Sequence, residues 1–186
     1  MNRIFCLETE WDKSVQNLKK KSAAESLLKF LENTIEVPHI FRQVATSQDF
    51  EFYINRLNHN TYSAYDMIYL CFHGEKKEIM FANGVNINIC TFGSKHPNIF
   101  LNRNVHFGSC SSLRMKENEI REFKQNTNAR MITGYTRDVD FMKSFVFELW
   151  LLNAIASYPN YSAKGIMKRA MDEMPYCVKR FGFVAY

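Results

Sequence analysis

The chain has 186 residues, 46% hydrophobic and 15% aromatic, with only seven Gly and four Pro. That is one domain's worth of apolar surface, enough to bury about 70% of what the unfolded chain exposes, and it excludes collagen-like, linker-like and disordered chains. The formal net charge of +5, from 24 Lys and Arg against 19 Asp and Glu, is too mild and scattered to make a nucleic-acid-binding surface.

Met1 to Leu7 carries one basic residue and a short apolar run that stops at Glu8, without the long apolar centre of a signal peptide. Arg3 to Leu7 reads as the first buried strand. Ser14 to Leu31 follows as an amphipathic helix, with Val15, Leu18, Leu27, Leu28 and Leu31 on one side and Lys19, Lys20 and Lys21 solvated. Ile35 to Val44 is the second strand, Phe50, Ile54 and Leu57 mark a second helix, and Met67 to Phe72 is the third strand. Glu78 to Ile89 alternates around Asn83-Gly84, the signature of a small antiparallel hairpin. Asn104 to Phe107 and Arg130 to Thr133 are further strands, separated by a helix over Asn118 to Lys124.

The stretch from Val139 to Ala156 is the strongest helix. Its most apolar part, from Phe141 onward, is interrupted by Lys143, Ser144, Glu148 and Asn153, short of the roughly 20 clean residues a bilayer span needs. It is a buried helix, and no membrane association is expected. Lys164 to Met174 is a last helix, and Val178 to Ala185 is a sixth strand whose edge, if exposed, would suit pairing with a second copy. The βαβα order builds an α/β three-layer sandwich: a mainly parallel central sheet of about six strands, with the small hairpin after the third, in a single domain over residues 1–186.

In an open parallel sheet, ligands and catalytic groups gather beyond the carboxyl ends of the strands. The third strand ends Cys71-Phe72-His73-Gly74 and the fourth ends Phe107-Gly108-Ser109-Cys110-Ser111-Ser112. If these strands are neighbours, an imidazole and a thiol share one edge, the nucleophile and acid/base pair of acyl transfer. His106, four residues before Cys110, is about 13 Å away along a strand and points into the sheet. Cys6 and Cys71 lie inside apolar strands, and Cys90 and Cys177 have no strand-end histidine nearby. The five cysteines form an odd set without a Cys-x-x-Cys pair, which suits a reducing cytoplasm. No His/Cys spacing indicates a metal, and no cofactor is implied.

His-Gly closing the third strand, the Asn-Gly hairpin and the small-x-Cys turn closing the fourth resemble the caspase-like (clan CD) cysteine peptidases. Bacterial CHAT-type protease domains match best, because Ile132-Thr133-Gly134-Tyr135, then Val139-Asp140 and a long apolar helix, is also similar to their pattern. The resemblance covers residues 1–157 and departs from the common pattern in Ser111-Ser112 after the cysteine. It implies that Cys110 is the nucleophile, that His73 protonates the leaving amine, and that the backbone N–H groups of Gly74 and Cys110 hold the oxyanion.

In the resembled enzymes one residue before the cleaved bond dominates specificity, and part of its pocket comes from the end of the first strand. Here that end carries Glu8, Glu10 and Asp12, which with Asp138 and Asp140 makes a set of carboxylates suited to a Lys or Arg side chain. Asp12 and Asp140 have a second reading as helix-terminal residues. The expected function is therefore a cytoplasmic cysteine endopeptidase acting on a protein substrate in signalling or defence, with room for an activating protein partner. The alternative on the same scaffold is a catalytically inactive interaction module. A flavodoxin-like binder or nucleotide hydrolase is disfavoured, because Glu8-Thr9-Glu10 replaces a Gly-rich phosphate loop after the first strand.

Overall fold

The computed structural model describes residues 3–11 and 22–186. Along the chain these residues form β1 (Ile4–Thr9), α1 (Ala23–Ile35), β2 (His39–Val44), α2 (Ser47–Arg56), β3 (Met67–Cys71), β4 (His73–Glu75), β5 (Glu78–Met80) and β6 (Asn86–Asn88). They continue with α3 (Ile89–Lys95), β7 (Asn104–Phe107), α4 (Glu117–Thr127), β8 (Met131–Tyr135), α5 (Phe141–Ser157), α6 (Ala163–Glu173), α7 (Pro175–Phe181) and β9 (Phe183–Ala185). Six strands make the central sheet in the order β2-β1-β3-β7-β8-β9, all parallel except β9. The remaining three form a small antiparallel sheet, β4-β5-β6.

The two-residue period of the strands sorts the side chains into two cores. Ile4 and Cys6, Met67, Tyr69 and Cys71, and Met131 and Tyr135 pack with α1, α5, α6 and α7. Phe5 and Leu7, Ile68 and Leu70, Val105 and Phe107, and Ile132 pack with α2, α3 and α4. Burial on both faces explains why the inner strands read as unbroken apolar runs rather than as alternating ones.

Local chemistry sets the element ends. Ser22 caps α1, its Oγ accepting from the Glu25 N–H at 2.9 Å, and Thr46 with Asp49 forms a capping box on α2. The second strand starts at His39, not at Ile35 as the apolar pattern suggested. Helix α1 runs through Ile35, Glu36 adopts a left-handed cap at φ 56°, and Val37-Pro38 cannot continue a helix. Pro175 likewise opens α7 and left-handed Gly182 closes it, so the expected strand over 178–185 is a helical turn followed by only three strand residues. Helix α3 was not expected: Asn88, read as the hairpin's end, caps it by accepting from the Thr91 N–H at 3.1 Å. The hairpin itself is present, turning at Gly84 with φ 81°, and it gains β4 as a third strand. Residues 14–21 of the expected first helix lie outside the described residues. No described helix is long and apolar enough to cross a membrane.

Helix α5 anchors one of the two cores. Phe147 is fully buried, with ring centroids 4.9 Å from Phe183, 6.2 Å from Phe181 and 6.2 Å from Tyr135. Replacing it by Ala removes the group that joins α5 to α7, β8 and β9, and should cost about 3–5 kcal/mol in urea unfolding. A loss below about 1 kcal/mol would contradict this packing.

Candidate active site

The parallel register of β3 and β7, Leu70 opposite Phe107, makes both strands leave the sheet at the same edge. From β3 the chain passes through Phe72 directly into β4, whose first two residues are His73 and Gly74. From β7 it passes through Gly108 and Ser109 to Cys110. The two exits touch at Gly74, where an added Cβ would lie 2.5 Å from the Cys110 carbonyl oxygen and 2.8 Å from Ser109 Cβ. Only glycine permits that approach.

The turn after Cys110 is tightly specified. Ser111 sits in the left-handed region at φ 50°, where a non-glycine residue costs about 1–3 kcal/mol and persists only if its surroundings hold it. They do: its N–H donates to the Arg137 carbonyl at 3.0 Å and its Oγ donates to Asp138 Oδ1 at 2.6 Å. Cys110 Sγ accepts from the Val139 N–H at 3.5 Å. Among the described residues the Cys110 N–H donates to no backbone carbonyl. In β4 the Glu75–Glu78 pair closes a two-residue turn and is therefore hydrogen-bonded, which leaves Gly74, opposite Ile79, with its N–H facing away from the ladder.

His73 is exposed and is oriented by Trp11. Its Nε2 lies 3.2 Å from the Trp11 carbonyl oxygen, and the two rings meet edge to face at 4.8 Å. A carbonyl oxygen only accepts, so Nε2 carries a proton and Nδ1 is the nitrogen left to exchange one. Trp11 in turn donates its indole N–H to Glu8 Oε1 at 2.7 Å. Beyond its place just past β1, no sequence feature marks this positioning role for Trp11.

Between His73 and Cys110 opens a cavity of about 490 Å³. Its walls are mainly apolar, with Trp11, Phe72, Val139, Phe141 and Phe145, and Gly108, Ser144 and Cys71 also line it. Among the described residues its one carboxylate is Glu148. Of the acidic residues expected to form a specificity pocket, the described ones, Glu8, Glu10, Asp138 and Asp140, do not line this cavity. Glu8 is fully buried at the end of β1, where Oε1 also accepts from the Ala24 N–H in the first turn of α1 at 3.2 Å. Glu10 is half-buried and donates its N–H to the Val44 carbonyl at 3.2 Å. Asp140 caps α5, accepting from the Lys143 N–H at 3.0 Å, and Asp12 lies outside the described residues. Asp138 braces Ser111 and borders a second, open recess that is rimmed by Arg114, Arg137 and Arg180.

All five cysteines are free. Burial pushes the thiols of Cys6 and Cys71 well up, and raises those of Cys90 and Cys177 less strongly. His106 is fully buried, with Nδ1 3.0 Å from Thr133 Oγ1, and takes no part in the edge where Cys110 sits.

The chain belongs to a family described as a family of unknown function (DUF6642), whose model matches residues 1–174. No curated protein matches it. Among solved structures it is similar to caspase-1 from Spodoptera frugiperda, with 11% sequence identity and a TM-score of 0.48 over 82% of this chain and 69% of that one.

The geometry predicts a reactivity order among the thiols. Iodoacetamide labelling followed by peptide mass spectrometry should find Cys110 modified at least tenfold faster than Cys90 or Cys177 at pH 7, with Cys6 and Cys71 inert until unfolding. His73→Ala and Trp11→Ala should each slow Cys110 and leave Cys90 unchanged. Equal rates at Cys110 and Cys177 would contradict the assignment.

Proposed function

We propose that the protein is a cysteine endopeptidase in which Cys110 and His73 form the catalytic dyad. The observation that carries this reading is the contact of Gly74 with the Cys110 backbone, which joins the two strand exits so that His73 and Cys110 border one cavity. A thiol, a proton-exchanging nitrogen and two N–H groups not used by the fold are the parts that acyl transfer needs.

In the proposed cycle Cys110 Sγ attacks the scissile carbonyl carbon while its proton passes to His73 Nδ1. The negative charge that develops on the carbonyl oxygen is met by the N–H groups of Gly74 and Cys110. Collapse of the tetrahedral intermediate breaks the C–N bond, and the same nitrogen returns the proton to the leaving amine. Water then attacks the thioester, His73 takes one of its protons, and release of the carboxylic acid restores the thiol. Trp11 holds the imidazole in the tautomer this cycle uses.

The substrate is a protein, cut after a basic residue, and the five free thiols suit action in the cytoplasm. Cleavage of one dedicated partner fits a signalling or defence role. The competing reading, an inactive interaction module on the same scaffold, predicts an ordinary thiol at position 110.

The test is mass-spectrometric mapping of new N-termini after incubation with a denatured whole-cell peptide library. The wild type should generate termini that are absent with Cys110→Ala and with His73→Ala. Gly74→Ala, which forces the Cys110 backbone away, should lower the cleavage rate by about 10²-fold or more. Termini that persist in Cys110→Ala would overturn the reading. So would a complete lack of new termini from a protein whose Cys110 labels no faster than Cys177.

A further inference from the structure

Helix α5 is apolar nearly all round, yet at its centre it carries one carboxylate, Glu148, which is only 3% exposed and lines the cavity between His73 and Cys110. An ionised carboxylate removed from water costs several kcal/mol unless it is paired. The partners that Glu148 has are neutral donors: the Tyr69 hydroxyl donates to Oε2, and the Tyr135 hydroxyl donates to Oε1 at 3.1 Å. Burial first, and neighbouring negative charge including that of Glu148 second, raises both phenols well above their ordinary range, so they remain donors. Both oxygens of Glu148 therefore accept a phenolic hydrogen bond, and the carboxyl group is held in place between the two rings.

Among the described residues the one cationisable group within 4 Å of Glu148 is His106, whose Nε2 is 3.7 Å from Oε1, too far for a hydrogen bond. Among the described residues no lysine or arginine pairs with Glu148. The path from the cavity to the carboxylate passes Gly108, where an added Cβ would stand 3.0 Å from Oε1. Around this polar floor the walls are aromatic, with Trp11, Phe141 and Phe145, surfaces that suit an alkyl stem and attract a cation from the ring face.

We infer that Glu148 is the specificity-determining carboxylate of the cavity, and that the cavity takes the ammonium or guanidinium end of a lysine or arginine side chain. The inference rests on the peptidase reading for its meaning, since it names the residue type that precedes the cleaved bond. It also replaces the carboxylates expected from the sequence by one that reaches the cavity from α5. The cation brings the positive charge that the buried carboxylate lacks, while Tyr69 and Tyr135 hold both oxygens in place. A side chain ending in a carboxylate meets a like charge there, and a short apolar one leaves Glu148 unmatched.

The test needs no turnover. Isothermal titration calorimetry on the full chain compares butylguanidinium with butylurea, which has the same shape and no charge. The guanidinium should bind at least tenfold more tightly. Glu148→Gln should remove that preference while leaving butylurea binding within about twofold. If Glu148→Gln fails to fold, the wild type must show the same tenfold preference for butylammonium over the neutral butanol. Equal binding of the two probes by the wild type would overturn the inference without any variant. So would a preference that survives in folded Glu148→Gln. Cation binding without peptide cleavage would retain the site and refute the peptidase; cleavage without cation preference would do the reverse.

Discussion

The parallel pairing of β3 with β7 is the constraint on which the site depends. Parallel neighbours end at the same edge of a sheet, so whatever follows Cys71 on one strand and Phe107 on the other is brought together without any further device. The chain uses this twice. One exit becomes the first strand of a separate antiparallel sheet, which fixes His73 and Gly74 in an extended, ladder-bound backbone. The other becomes a turn whose strained residue, Ser111, is held by Arg137 and Asp138 from the loop after β8. Gly74 lets the two close to van der Waals contact, and the loss of a single hydrogen atom there would separate them.

Two buried carboxylates lie near this edge, and their surroundings give them different work. Glu8 shares one oxygen between the Trp11 indole and the first turn of α1, where the exposed N–H groups and the helix dipole favour negative charge. It does not line the cavity between His73 and Cys110, and its effect on the site passes through Trp11 to His73. Among the described residues Glu148 has two phenols and an imidazole 3.7 Å away. The phenols orient it, and it borders the cavity.

Much of this was legible in the sequence. The apolar runs ending in Cys71-Phe72-His73-Gly74 and in Phe107-Gly108-Ser109-Cys110 located the central strands and put His73 and Cys110 at one sheet edge, because parallel strands buried on two faces must be continuously apolar. The errors came where backbone chemistry outweighed hydropathy. Pro38 and Pro175 shifted an element's start, and Asn88 capped a helix inside what reads as a hairpin. The described members of the carboxylate set lie outside the cavity for a related reason. Counting acids near the ends of strands locates backbone positions, but Asp140 was taken up as a helix cap and Asp138 as a brace for Ser111. Glu148 did leave a trace. A lone acid in the middle of a helix that is apolar on every side has to find partners in the interior, and the sequence reading registered it only as an interruption of the apolar run. Its partners, Tyr69 and Tyr135, come from strands 79 and 13 residues away, a separation that no local pattern reveals.

The most direct test of the account is covalent capture of the site by a tripeptidyl acyloxymethyl ketone ending in arginine, read as intact mass and then as peptide fragments. The account predicts one adduct per chain, on Cys110, formed much faster than with the matching ketone ending in aspartate and nearly abolished by His73→Ala. Adducts spread over Cys90 and Cys177, or no adduct on a folded chain, would contradict it.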